Sequence, residues 1–160
     1  MACFPEGTNG VQLDTLARQH LWRYQRNFGH GTGHGVGFFL NVHEGPQRIS
    51  PTIGIKSQLP FRPGMVTSNE PGIYRANEYG IRIENLILCK KSAENDFGNF
   101  LEFETITLFP IDQSLIDASL LSKDEKKWLN DYHQKVFDKL SPELKPAEVK
   151  WLKKKCKVMR

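Results

Sequence analysis

Apolar residues recur at Val11, Leu13, Leu16, Ala17, Leu21 and Tyr24, the spacing of one helix face, directly after the turn-forming run Gly7-Thr8-Asn9-Gly10. The pattern predicts an amphipathic helix over about residues 11–25, with Asn9 or Gly10 as its N-cap. From His30 to Asn41 that pattern collapses. Glycine stands at 31, 33, 35 and 37, and each would cost a helix roughly 1 kcal/mol against alanine, so the stretch must be extended or looped. Pro46, Pro51 and Pro60 punctuate an irregular segment after it. Pro63-Gly64 then turns the chain into a short predicted strand over residues 65–70, which Pro71-Gly72 ends. Gly80 opens a second strand in which Ile81, Ile83, Asn85 and Ile87 share one face and Arg82, Glu84, Leu86 and Leu88 the other. A further strand is predicted over about residues 101–108.

The last third changes period. Ser122-Lys123-Asp124-Glu125 fits a capping box, and Trp128, Leu129, Tyr132, Val136, Phe137 and Leu140 form one helical stripe that stops at Ser141-Pro142. A short helix is predicted after Pro146. No internal repeat is visible. Helix, hairpin-linked strands and terminal helices in this order give an α+β class rather than a doubly wound α/β sheet.

Composition narrows the picture. A chain of 160 residues, 39% hydrophobic, buries one modest core. Its apolar runs, such as Ile81 to Leu88, are interrupted by Arg82, Glu84 and Asn85, well short of the roughly 20 residues a membrane helix needs. The start, Met-Ala-Cys-Phe-Pro-Glu-Gly, has neither a basic nor an apolar leader region, so a cytoplasmic setting without a membrane is expected. Cys3, Cys89 and Cys156 lack paired spacing and read as ordinary thiols. The net charge of +4 is mild, but Lys153, Lys154, Lys155, Lys157 and Arg160 crowd the last eight residues. A solvated helix end explains them better than a nucleic-acid contact.

Chemistry enters with two glutamates. If the strands around Glu70 and Glu84 pair symmetrically about Asn77, these carboxylates face each other with Cβ atoms about 5 Å apart, a repulsive placement. Something positive belongs between them. Arg82, two residues from Glu84 on the same face, would serve structurally and a divalent cation chemically; the spacing leaves both open. Three of the five histidines, His30, His34 and His43, fall within fourteen residues, two of them inside H-G-T-G-H-G-V-G. Imidazole ligates metals and moves protons near neutral pH, and glycines let a substrate backbone come close. In an extended segment His30 and His34 share a face with Thr32 and Val36. His43 has the opposite parity and needs a turn at Glu44-Gly45-Pro46.

H-G-T-G-H-G-V-G from His30, N-V-H-E-G-P from Asn41, E-P-G-I-Y from Glu70 and G-I-R-I-E-N from Gly80 together resemble, in order and spacing, the aminopeptidase P family of pita-bread metallopeptidases. The likeness runs from Phe4-Pro5 to the helix around Trp128-Leu129. It implies part of a pita-bread fold, with residues 1–112 in the C-terminal part of the catalytic domain and 113–160 as its helical extension. It implies that His34, Glu70 and Glu84 ligate a pair of divalent ions, manganese or zinc, with Glu84 bridging. Glu70 would accept the proton of the attacking water, His30 and His43 would be catalytic, steadying the carbonyl oxygen or the proline-side backbone, and with Arg82 they would bind the substrate. The implied substrate is a peptide with proline in second position.

The family's two aspartate ligands normally precede the histidine motif by tens of residues, and only Asp14 precedes His34 here. Asp14 sits in the helical Q-L-D-T context and receives no ligand role. The chain is therefore expected to hold half of a site and to be inactive alone. Its missing N-terminal part is the expected partner, and a homodimer is a candidate assembly. The alternative is a pita-bread module that binds a protein or nucleic acid without catalysis.

Overall fold

Residues 2–39 and 41–160 are described by the computed structural model, and they divide into two units, Met1–Thr107 and Leu108–Arg160. Leu40, inside the stretch expected to be extended or looped, and Met1, at the start of the segment read for a leader, lie outside the described residues.

The first unit runs β1 (Cys3–Pro5), α1 (Gly10–Trp22), β2 (Gly33–His34), β3 (Arg48–Ile49), α2 (Ile55–Gln58), β4 (Val66–Asn69), β5 (Gly72–Arg75), β6 (Tyr79–Arg82), β7 (Asn85–Asn95) and β8 (Gly98–Thr105). Strands β1-β8-β7-β4 form one antiparallel sheet, while β2-β3 and β5-β6 are separate two-stranded ladders. Alternation along β7 puts Asn85, Ile87 and Cys89 inside, opposite Thr105 and Phe103 of β8. Phe103 is the hub of the core, with the Phe4 ring 5.1 Å and the Phe61 ring 5.4 Å away. Burying each such side chain stabilises the fold by about 1.5–3 kcal/mol. On the outer face Lys90 bridges Glu102 at 3.1 Å and Glu104 at 3.7 Å, a screened arrangement of small energetic weight.

Several boundaries differ from expectation. Helix α1 begins at Gly10, with Asn9 capping the amides of Val11 and Gln12, and it ends at Trp22 rather than near residue 25. The amides of Tyr24 and Gln25 fold back onto the carbonyls of Leu21 and Trp22, and Gln25 takes φ +50. Tyr24 and Leu16, counted as stripe residues, are exposed; the inward face carries Gly10, Leu13, Asp14 and Arg18. Pro71-Gly72 interrupts the strand without turning it away, because β5 resumes at once and pairs with β6. Ile81 and Ile83, expected on the face of Ile87, are each 45% exposed, because the predicted strand divides: β6 ends at Arg82, β7 begins at Asn85, and the two belong to different ladders. Strand β8 starts earlier than predicted, since its pairing with β7 carries the polar residues after Gly98 into the ladder.

The second unit is helical. A short 3-10 turn (Ala118–Leu120) precedes α3 (Lys123–Leu140), and a second (Ser141–Glu143) precedes α4 (Pro146–Lys155). Ser122 and Glu125 form the predicted capping box. Leu129, Tyr132, His133 and Val136 of α3 and Leu152 of α4 are buried, and Trp128 stacks on Tyr132 at 5.5 Å. Two buried polar groups are satisfied locally: Tyr132 donates to the Phe109 carbonyl at 2.8 Å, and the Ile111 amide donates to His133 Nε2 at 3.0 Å.

Candidate active site

The ladders on either side of Glu70 and Glu84 share one register. Asn69 pairs with Asn85 at the end of β4-β7, and Gly72 pairs with Arg82 at the start of β5-β6. Glu70 and Glu84 thus stand at facing positions about the turn at Asn77, whose φ of +61 the hairpin requires. Between them lies Arg82, with Nη1 3.7 Å from Glu70 Oε2 and Nε 3.4 Å from Glu84 Oε2. Arg82 thus lies where it can relieve the carboxylate repulsion.

Glu70 is fastened from the other side. Ser68, fully buried, donates from Oγ to Glu70 Oε1 at 3.0 Å and accepts the His34 amide at 2.9 Å. His34 Nε2 stands 3.3 Å from the same Oε1. Its Nδ1 lies 3.0 Å from the Gly35 carbonyl, which can only accept, so Nδ1 carries the proton. The Nε2 lone pair and a carboxylate oxygen therefore converge, an arrangement that calls for a proton or a metal ion between them. The His43 ring packs edge-on against His34 with centroids 4.3 Å apart. The turn at Glu44-Gly45-Pro46 makes this contact, with Glu44 N–H donating to the Gly35 carbonyl and Gly35 N–H to the Gln47 carbonyl.

His30 is held at both ring nitrogens. Nδ1–H donates to the Gly31 carbonyl at 2.8 Å, and Nε2 meets the Tyr74 hydroxyl at 2.8 Å. The neighbouring Tyr74 hydroxyl, followed by the charges of Glu84 and Glu70, raises the Arg82 guanidinium above its ordinary pKa. Arg82 thus links Glu84 and Glu70, while Tyr74 holds His30. Tyr74 had no sequence-derived role, although the signal was present: Gly72 and Gly80 share its face of the hairpin, and a Cβ on Gly72 would strike its ring.

His30, His34, His43, Glu70 and Arg82 line one cleft of about 410 Å³, whereas Glu84 stays outside that lining, tied to Arg82. Among the described residues no three His, Cys, Asp or Glu side chains close around a common point. His34 and Glu70 fit as two donors of a metal site, and the chemistry of imidazole plus carboxylate suits manganese or zinc. The glycines expected to bare the backbone for substrate serve the protein itself: a Cβ on Gly33 would drive into the Ser68 carbonyl, and one on Gly35 into that of Glu44.

Residues 1–91 match the metallopeptidase family M24, and residues 99–159 match the C-terminal region of peptidase M24. The chain belongs to metallopeptidase family M24. Over 158 residues it is 50% identical to a probable Xaa-Pro aminopeptidase P of Coprinopsis cinerea, covering 96% of this chain and 25% of that protein. A probable Xaa-Pro aminopeptidase P of Talaromyces marneffei is 48% identical over 164 residues, 99% of this chain and 25% of that protein. The crystal structure of X-prolyl aminopeptidase from Caenorhabditis elegans, described as a cytosolic enzyme with a di-nuclear active site, superposes with a TM-score of 0.88 at 44% identity. That match covers 99% of this chain and 26% of the nematode chain. The chain thus spans about a quarter of the length of these relatives, and its mixed helix and antiparallel-sheet architecture is that of part of a pita-bread aminopeptidase. No described helix is long and apolar enough to cross a membrane.

Proposed function

We propose that this chain supplies one side of the catalytic site of a dinuclear Xaa-Pro aminopeptidase, which releases the N-terminal residue from peptides with proline second. The observation that carries the reading is the convergence of His34 Nε2 and Glu70 Oε1, with the imidazole proton already committed to Gly35. His34, Glu70 and Glu84 would hold divalent ions, with the remaining donors on the part of the protein outside this chain. Residues 113–160 are read as an extension of the same catalytic domain, in a cytosolic protein. Two such ions, when bound, polarise the scissile carbonyl and acidify the attacking water. Glu70, its orientation set by Ser68, accepts the water's proton. His43, exposed beside His34, is free to hydrogen-bond the substrate as charge develops. His30, held between Gly31 and Tyr74, would present its ring to the substrate from the wall of the cleft. Arg82 would exchange its contact with Glu84 for the substrate where Glu84 holds a metal ion.

The alternative is a non-catalytic module that binds a protein or nucleic-acid partner, in which Arg82 would serve as the structural counter-ion of both glutamates. The two readings part in one experiment. The full-length protein, supplied with manganese or zinc, is assayed on matched Xaa-Pro and Xaa-Ala peptides. Preferential cleavage of the former is expected; equal turnover, or none, refutes the aminopeptidase reading. The chain by itself is expected to bind metal weakly and to lack activity.

A further inference from the structure

The most completely satisfied polar group near the cleft plays no part in the chemistry assigned to His34, Glu70 and Glu84. Arg18 of α1 is 2% exposed, and all five of its N–H donors are used. Nε donates to Asp14 Oδ2 at 2.6 Å and Nη2 to Asp14 Oδ1 at 3.3 Å. Nη1 donates to Asn27 Oδ1 and to the Phe28 carbonyl, each at 2.7 Å, and Nη2 to the His30 carbonyl at 2.6 Å. The guanidinium lies 3.8 Å over the Phe28 ring, which in turn packs 5.0 Å from the His30 ring. Asp14, 1% exposed, also accepts the Thr32 hydroxyl at 2.7 Å. Residues 27, 28, 30 and 32 are thus pinned to one helix, on both sides of His30.

An apolar pair of similar volume would pack α1 as well or better, since burying two charges costs desolvation that their attraction seldom repays. It would not hold several loop acceptors at fixed bearings, which the planar fork of an arginine does. We propose that Arg18, Asp14 and Thr32 are positioning residues. They set the backbone of the His30–Thr32 segment so that the His30 ring spans Gly31 and Tyr74 and presents itself to the cleft. The inference rests on the reading of His30 as an active-site group, and it gives buried Asp14 a role other than metal ligation.

The test uses the full-length metal-loaded protein. Thr32→Val deletes the hydroxyl while keeping the shape, and Thr32→Ser restores the hydroxyl. Thr32→Val is expected to lower kcat on an Xaa-Pro peptide by about tenfold or more, with KM within about twofold and metal content unchanged, because small misplacements of catalytic groups are costly. Thr32→Ser is expected to stay within about threefold of wild type. A crystal structure of Thr32→Val should show His30 Nε2 beyond hydrogen-bonding distance of the Tyr74 hydroxyl. Asn27→Ala, which removes one acceptor of Arg18 at an exposed position, should shift kcat in the same direction by about threefold. Wild-type kcat in both Thr32→Val and Asn27→Ala, or an unmoved His30 ring in Thr32→Val, overturns the proposal. A wild-type protein inactive on Xaa-Pro peptides would defeat the proposed function instead, leaving the His30–Tyr74 geometry of the variant to decide the positioning role.

Discussion

Ser68→Ala isolates the coupling between His34 and Glu70. Ser68 is fully buried, and its hydroxyl takes the His34 amide at 2.9 Å while donating to Glu70 at 3.0 Å. Alanine leaves a backbone N–H without its acceptor, worth about 1–3 kcal/mol, and removes a hydrogen bond to a charged group, worth about 1.5–3 kcal/mol. The two losses share one site and do not add fully, so a net local destabilisation of about 2–4 kcal/mol is expected. Nothing else moves: the methyl fits, and the strand pairing of Ser68 with Leu86 is made by backbone. Amide hydrogen exchange on the full-length protein, read at peptides spanning His34, should accelerate by about 30- to 700-fold where local opening governs it. Metal affinity should weaken in the same variant, because Glu70 loses the donor that orients it. Acceleration below about threefold, equivalent to under about 0.7 kcal/mol, would refute the view that this hydroxyl holds the two candidate ligands together.

Glu84→Gln in the full-length protein is expected to abolish peptidase activity and one equivalent of bound metal while leaving circular dichroism unchanged, because the side chain is 43% exposed and packs no core; full activity would disprove a bridging role. In the helical unit, burial lowers the pKa of the His133 imidazole, whose Nε2 accepts the Ile111 amide. The folded state therefore favours the neutral ring. The stability this provides is present above the unfolded value of about 6.5 and is lost as pH falls through the lowered folded value. Urea unfolding of wild type and His133→Phe between pH 7.5 and 5 should show their stability difference changing in the wild type's disfavour on acidification, and a pH-independent difference would contradict the assignment.

Element existence was legible in the sequence because it rests on local signals. Asn9 and Ser122 cap helices wherever the chain places them, the alternation that puts Asn85 and Ile87 on one face marks a half-buried strand, and the symmetric spacing about Asn77 sets a hairpin register that brings Glu70 opposite Glu84. Even the need for a positive group between the two carboxylates follows from like charges at facing positions. That Arg82 reaches both carboxylates was decided by tertiary structure, since its guanidinium comes within 3.7 Å of Glu70 and 3.4 Å of Glu84 only once the hairpin is folded. The inward turn of Asp14 and Arg18 was likewise invisible to a hydrophobic pattern, which assigns charges to the solvent side of a helix. Their burial is tolerable only because the carbonyls of Phe28 and His30 and the hydroxyl of Thr32, ten to eighteen residues away in sequence, are folded back to meet them. Local periodicity records the free energy of burying apolar surface; a hydrogen-bond partner supplied by a distant loop leaves no period to read.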